Sequence, residues 1–183
     1  GRPYPGVAIK VVDGNGKPVE AGTVGEICIR SPANMLGYHD RPDATAATLR
    51  DGWVHTGDAG HVDADGYVFV SDRVKDMIVS AGEKIYPAEV ESVLSGHPAI
   101  AEIGVIGVPD DQWGERVHAV VVPRKGTQIT LAELQSFARG QLADFKLPRA
   151  ITLAEALPRT PSGKIKKAEL RAPFWQGHDR KVH

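Results

Sequence analysis

Three segments concentrate the side chains able to handle a phosphorylated ligand: Trp53–Asp58 (WVHTGD), Ser71–Glu91 (SDRVKDMIVSAGEKIYPAEVE) and Leu157–Lys167 (LPRTPSGKIKK). In the third, Pro158 and Pro161 fix φ on the approach, and Ser162-Gly163 makes a turn that projects Lys164. Simpler signatures fail. A phosphate-binding P-loop needs a glycine where Pro158 stands and Ser or Thr where Ile165 stands. Asp63-Ala64-Asp65-Gly66 has the look of a calcium loop but lacks the flanking ligands, so a hairpin turn is the better reading. The histidines have no zinc-ligand spacing, and there is no GxSxG elbow. No metal site is expected.

The elements that must carry these segments change character along the chain. Val7–Val12 and Val24–Arg30 read as strands, separated by the turn-rich Asp13–Pro18. Asp43–Arg50 reads as a short helix ended by Asp51-Gly52. Gly60–Val62 and Tyr67–Val70 form a hairpin across Asp63–Gly66. Beyond this come a short strand, Met77–Val79, and a helix, Pro87–Ser95, with proline at its first position. Ile100–Val108 and Val117–Val122 are strands. Leu131–Leu142 is an amphipathic helix with Leu131, Leu134, Phe137, Ala138 and Leu142 near one face. Ile151–Leu153 is a further strand and Lys167–Arg171 a final helical turn. The fold class is α+β: a small β-rich region over residues 1–72, then a compact α+β domain with a small mixed sheet over residues 73–183, the boundary lying near Asp72–Lys75.

Composition narrows the function classes. Apolar residues make up 42% of 183, enough for a packed core, and the net charge of −1 gives no basic field for nucleic acid. The lone cysteine, Cys28, cannot form an internal disulfide; it reads as a small buried hydrophobe in a reducing, cytoplasmic setting. No apolar run approaches membrane-span length, so no transmembrane segment is expected. Gly1–Gly6 is turn-like, without the charged start and apolar core of a signal peptide, and reads as a sequence entered mid-protein.

Taken jointly, in this order and spacing, the three segments resemble the late motifs of AMP-forming acyl-CoA synthetases of the adenylate-forming superfamily. Gly107–Glu115 (GVPDDQWGE) and Lys146-Leu147-Pro148 extend the resemblance over essentially the whole chain. It implies an enzyme that joins a carboxylic acid, with fatty acids as the leading class, to AMP using ATP and Mg²⁺. Pyrophosphate is released, and the acyl group is then passed to CoA. The chain would be the C-terminal portion, residues 1–72 being the last subdomain of the large N-terminal domain and residues 73–183 the mobile lid. The phosphate-gripping loop, acyl pocket and Mg²⁺ ligand would lie upstream, so the portion alone is expected to be inactive and its first partner to be the missing N-terminal part. Val79 departs from luciferases, which carry lysine there, and argues against their oxidation chemistry.

By the same resemblance, Asp58 binds both ribose hydroxyls, a diol that suits two carboxylate oxygens. Arg73 contacts the nucleotide sugar. Lys75 is the hinge about which the C-terminal domain turns. Ser80, Ala81, Gly82 and Lys84 lie along the pantetheine tunnel of CoA, and Glu83 is a further polar neighbour. Lys164 binds nucleotide and offsets charge as the acid attacks the α-phosphate, an effect worth roughly 3–4 kcal/mol. Singly, these residues have blander readings: Asp58 as a turn stabiliser, Arg73 as a surface partner of Asp72 or Asp76, Lys164 as a solvated lysine. The basic residues Lys166, Lys167, Arg171, Arg180 and Lys181 read as solvated surface; the sharper reading is contact with CoA phosphates or peripherally with an anionic membrane. Two alternatives stay open: a non-catalytic interaction module, and an adenylation domain that loads a carrier protein.

Overall fold

The computed structural model describes residues 1–178 and divides into two compact units, Gly1–Lys75 and one that begins at Asp76. Both are α+β or β-rich, built on two small five-stranded sheets.

In the first unit β1 (Ala8–Val12), β2 (Gly25–Arg30), β3 (Leu49–Arg50), β4 (Trp53–Val62) and β5 (Val68–Arg73) form one antiparallel sheet. β2 lies between β1 and β4, and both β3 and β5 pair with β4. The buried Val11, Val12, Ile27, Cys28 and Ala59 make its small core. Helix α1 (Pro42–Thr48) is shorter than its sequence suggests. Leu49 is extended, and Asp51-Gly52, at φ 51° and 76°, is the two-residue turn of a β3–β4 hairpin rather than a helix stop. β4 is also longer than the sequence pattern indicates, because Trp53–Asp58 is itself strand. The Asp63–Gly66 turn is a hairpin turn: the Asp63 carboxylate accepts from the amides of Asp65 and Tyr67.

The second unit has a mixed sheet of β6 (Ile78–Ser80), β7 (Glu83–Ile85), β8 (Ile100–Asp110), β9 (Gly114–Pro123) and β10 (Ala150–Leu153). β8 and β9 form a long antiparallel hairpin, β10 runs parallel to β9, and β6 meets β9 at Ser80 and Gly114. Alternation along β8 and β9 gives the sheet two apolar faces. Ile103, Val105, Val117, Ala119 and Val121 face α2 (Pro87–Leu94) and α3 (Leu131–Ala138), with Val90, Leu94 and Leu134 fully buried. Ile106, Val108 and Val120 pack instead with Leu157, Ile165, Leu170 and Phe174. Helix α4 (Lys167–Arg171) is where the sequence places it.

Two readings need correction in this unit. Helix α3 stops at Ala138, four residues early, because Arg139 is already extended, yet Leu142 still reaches the same core. Strand β7 is missed by the sequence reading: its three residues, EKI, carry too short a pattern to register.

Candidate functional site

Asp58 owes its position to an irregularity between β2 and β4. Cys28 stands opposite His55 and Glu26 opposite Ala59, so the single residue Ile27 faces Thr56, Gly57 and Asp58. The excess backbone bulges out, with Gly57 at φ 70°, a left-handed conformation that favours glycine. Side chains replace the lost ladder bonds. The Thr56 hydroxyl donates to the Ile27 carbonyl at 2.7 Å and accepts from the Asp58 amide at 3.0 Å. The Glu26 carboxylate accepts from the Gly57 amide at 3.0 Å and meets His55 Nδ1 at 2.7 Å. On the other side of β4, Asp58 stands opposite Arg73, and Arg73 Nε donates to Asp58 Oδ1 at 2.9 Å. The structure thus brings together two of the residues expected at a nucleotide sugar, both partly open to solvent. The Arg73 guanidinium pairs with Asp58, its backbone amide donates to the Asp72 carboxylate at 2.7 Å, and Asp76 pairs instead with Arg171.

Glu26 and His55 were missed from the sequence as site-supporting residues. A carboxylate on one strand and an imidazole on another, twenty-nine positions apart, leave no local signal. With Cys28 they put carboxylate, thiol and imidazole within 4.8 Å of one another. Burial, then the Glu26 charge, pushes the Cys28 thiol up to about 11, so it stays protonated at neutral pH. A sulfur–nitrogen–oxygen set does not suit Mg²⁺, which takes oxygen ligands, and it is the one such cluster among the described residues.

The Ser80–Gly82 segment is a tight hairpin turn between β6 and β7. Ala81 and Gly82 sit at φ 51° and 85°, and Ser80 pairs with Glu83 and Val79 with Lys84. The GVPDDQWGE segment braces it: the Ala81 amide donates to the Trp113 carbonyl at 2.8 Å. Ala81, Gly82 and Lys84 are exposed, whereas Ser80 is buried within the unit. Lys75 is exposed, in a single 3₁₀ turn over Val74–Asp76, and the next residue, Asp76, is buried against Arg171 at 2.7 Å.

Lys164 lies at the end of a closed turn. The Thr160 amide donates to the Lys164 carbonyl, the Gly163 amide to the Thr160 carbonyl and the Lys166 amide to the Pro158 carbonyl, each at 2.8 Å. Arg159 donates to the Gly163 carbonyl at 2.5 Å and to Glu102 at 2.7 Å. Leu157 and Ile165 anchor the two ends against the second face of the sheet, over Gly104, where an added Cβ would press on the end of the Leu170 side chain. The Lys164 ammonium is exposed and has no hydrogen-bond or ion-pair partner among the described residues.

The neighbouring basic residues differ, and the expectation of solvated surface is corrected for Lys167 and Arg171 but not for Lys166. Lys167 pairs with Glu91 at 2.9 Å, Arg171 is buried against Asp76, and Lys166 pairs with Glu169 at 2.7 Å. Lys167 and Arg171 dock α4, and a buried cation must be paired, whereas Lys166–Glu169 is a pair within the surface of α4. Arg180 and Lys181 lie outside the described residues. No helix of the described chain is long and apolar enough to cross a membrane.

Comparison with known proteins agrees with this geometry. The family model for the AMP-binding enzyme C-terminal domain matches residues 89–164, and that for the AMP-binding enzyme matches residues 1–39. A fatty acid–[acyl-carrier-protein] ligase of Streptomyces coeruleorubidus is 55% identical over 100% of this chain, which spans 35% of that protein. A feruloyl-CoA synthase of an Amycolatopsis species is 50% identical over 91% of this chain and 34% of its own length. The structure of o-succinylbenzoate-CoA synthetase of Bacillus subtilis with its acyl-adenylate intermediate superposes with a TM-score of 0.86 at 38% identity, over 100% of this chain and 36% of that one. The chain therefore spans about a third of the length of the relatives it matches. With two family models matching in sequence and the fold shared throughout, the chain belongs to the AMP-binding enzymes of the adenylate-forming superfamily.

Proposed function

We propose that this chain supplies the ribose-binding edge and the mobile lid of an acid–thiol ligase. In the first half-reaction a carboxylate oxygen attacks the α-phosphorus of ATP, and the bond to pyrophosphate breaks. In the second, a thiol attacks the acyl carbon and AMP leaves. Asp58 holds the ribose hydroxyls, and Arg73 steadies both Asp58 and the sugar. Lys164 brings its charge to the α-phosphate and carboxylate oxygens during the first step. Rotation at Lys75 then withdraws it, and the exposed Ala81-Gly82 turn, with Lys84, replaces it beside the incoming thiol. Mg²⁺ would neutralise the phosphates in such a ligase; no oxygen-only ligand set in the described residues fits it, so no step here depends on it.

The observation that carries this reading is Lys164 itself: a hydrogen-bonded turn presents an ammonium that has no hydrogen-bond or ion-pair partner among the described residues. Supporting it, the relatives' printed activities are acid activations of this type. The relatives carry about two thirds of their length outside the matched part, so the isolated chain is expected not to adenylate. ATP–pyrophosphate exchange checks both statements: the complete ligase should exchange in the presence of its acid and this chain alone should not. Turnover by the isolated chain would refute the division of labour.

For the acid, we favour a fatty or aromatic carboxylic acid, since relatives of both kinds match at 50% identity or more. For the thiol, free CoA is the first reading. An acyl-carrier protein is the second, favoured by the carrier-protein ligase that matches this chain end to end. Competition between CoA and carrier protein for a preformed acyl-adenylate decides between them.

A further inference from the structure

We propose that Glu26 is a positioning residue for the nucleotide subsite, acting through the bulge that carries Asp58; the proposal rests on Asp58 being the ribose ligand. β4 has three residues where β2 has one, and of these three only Asp58 keeps a ladder partner, Arg73 on β5, so the β2–β4 ladder does not set the path of Thr56 and Gly57. The path is fixed by side chains, and Glu26 contributes two of the contacts. One oxygen takes the Gly57 amide at 3.0 Å, immediately before Asp58; the other takes His55 Nδ1 at 2.7 Å, three residues before it. The carboxylate therefore clamps both ends of the Thr56-Gly57 step. The Thr56 hydroxyl closes the same step from the opposite side, onto the Ile27 carbonyl and the Asp58 amide.

The chemistry requires a carboxylate. Glu26 faces two donors and offers only acceptors, one oxygen for each. A glutamine of the same size keeps one acceptor for the Gly57 amide but turns an NH₂ toward His55 Nδ1, so the charge is lost and the second contact survives only if His55 moves its proton to Nε2. The contacts are half-buried and the acceptor is charged, the situation in which hydrogen bonds are strongest. Gly57, at φ 70°, has no side chain of its own with which to hold the turn. Release of Glu26 frees Gly57 and lets the Asp58 carboxylate wander from the position set by Arg73 on the far side.

A positioning role has a kinetic signature. The adenosine moiety is bound as ATP in the first half-reaction and as acyl-AMP in the second. Loss of Glu26 must therefore weaken both, unlike loss of Lys164, which acts on the first alone.

The test uses the complete ligase and three variants: Glu26→Gln, Asp58→Asn and the double variant. Glu26→Gln should raise KM for ATP by about tenfold, as expected for a lost charge-assisted bond, with a smaller change in kcat. Acyl transfer from added acyl-AMP should show a similar rise in KM. The double variant should be little worse than Asp58→Asn alone. In this chain, hydrogen exchange at the Gly57 amide should accelerate in Glu26→Gln. If Asp58→Asn leaves KM for ATP unchanged, the ribose reading of Asp58 fails. If Asp58→Asn raises it and a folded Glu26→Gln does not, the positioning role of Glu26 fails and the ribose reading stands. Should Glu26→Gln not fold, Glu26→Asp keeps the charge, withdraws it from Gly57 and is read in the same way. Loss of folding in both variants would assign Glu26 to stability alone and overturn the proposal.

Discussion

The bulge that bears Asp58 and the turn that bears Lys164 solve opposite problems. Around Asp58 the neighbouring polar groups are bonded to one another: Thr56 to Ile27 and Asp58, Glu26 to Gly57 and His55, Arg73 to Asp58. At Lys164 the backbone is likewise closed by hydrogen bonds, but the side chain has no partner among the described residues. The first arrangement suits a group whose ligand stays put through two half-reactions. The second suits a charge that must arrive and leave, because an ammonium already paired would have to break that pair each time. The difference is that both sites hold their backbone rigid, and only one holds its side chain.

The largest expected effect follows from that. Lys164→Ala should lower acyl-adenylate formation by roughly 100–1000-fold, the scale of a lost transition-state donor. It should spare acyl transfer from added acyl-AMP. Because Lys164 has no partner among the described residues to lose, the thermal midpoint should not move. A drop in stability together with both half-reactions would mean that Lys164 is structural and the comparison is wrong.

The two units should also fail at opposite ends of the pH scale. His118 on β9 is buried, donates or accepts at Thr152 Oγ1 over 2.8 Å and packs on Phe174. Burial, then the Arg116 charge, pulls it from 6.5 down to about 4. The folded state therefore resists a proton that the unfolded state accepts. His118 contributes stability above pH 6.5 and loses it as pH falls toward 4, about 3 kcal/mol over the window at 1.36 kcal/mol per pH unit. His118→Asn should flatten that acid limb in thermal unfolding of the second unit. Cys28 works the other way: its raised value stabilises the first unit below pH 9, and the benefit is lost as pH rises toward 11. Cys28→Ala should remove that alkaline limb.

A matched pair of substitutions compares the two backbones. Thr56→Ala leaves a half-buried carbonyl and amide without partners and should cost about 1–3 kcal/mol. Arg159→Ala removes a surface pair with Glu102, both side chains well exposed, and should cost about 1 kcal/mol or less. Denaturant unfolding ranks them; an Arg159 cost above that of Thr56 would show the lysine turn to be the more tightly built.

The residues proposed for the chemistry could be picked out in the sequence and their support could not, for a physical reason. Asp58, Arg73 and Lys164 lie in contiguous motifs, so their types and spacing could be read directly. Pro158 and Pro161 announced the stiff turn, and the alternation in Ile100–Val108 and Val117–Val122 announced the hairpin beneath it. Glu26 and His55 belong to different strands, and their meeting depends on a register shift that no local pattern encodes. Lys167 and Arg171 failed for the same reason: their partners Glu91 and Asp76 are seventy-six and ninety-five residues away. A basic run looks solvated until the distant carboxylates are placed.

The smallest effect concerns the Ala81-Gly82 turn, the part of the second unit proposed to meet the thiol. Ala81 is at φ 51° and Gly82 at 85°, the left-handed pair of a two-residue hairpin. Glycine accepts this conformation freely, but alanine is held there at a cost of about 1 kcal/mol. The Ala81 amide bond to the Trp113 carbonyl and the pairing of Ser80 with Gly114 hold it in place. Asparagine is the residue this position prefers in such turns, so Ala81→Asn should raise stability by about 0.5–1 kcal/mol in denaturant unfolding. It should leave adenylation unchanged, since the turn is proposed to serve the second half-reaction. It should slow thioester formation if the small alanine methyl is what lets a narrow thiol arm pass. A stabilised variant with an unaltered thioester rate would leave the turn as a structural corner and move the thiol path elsewhere.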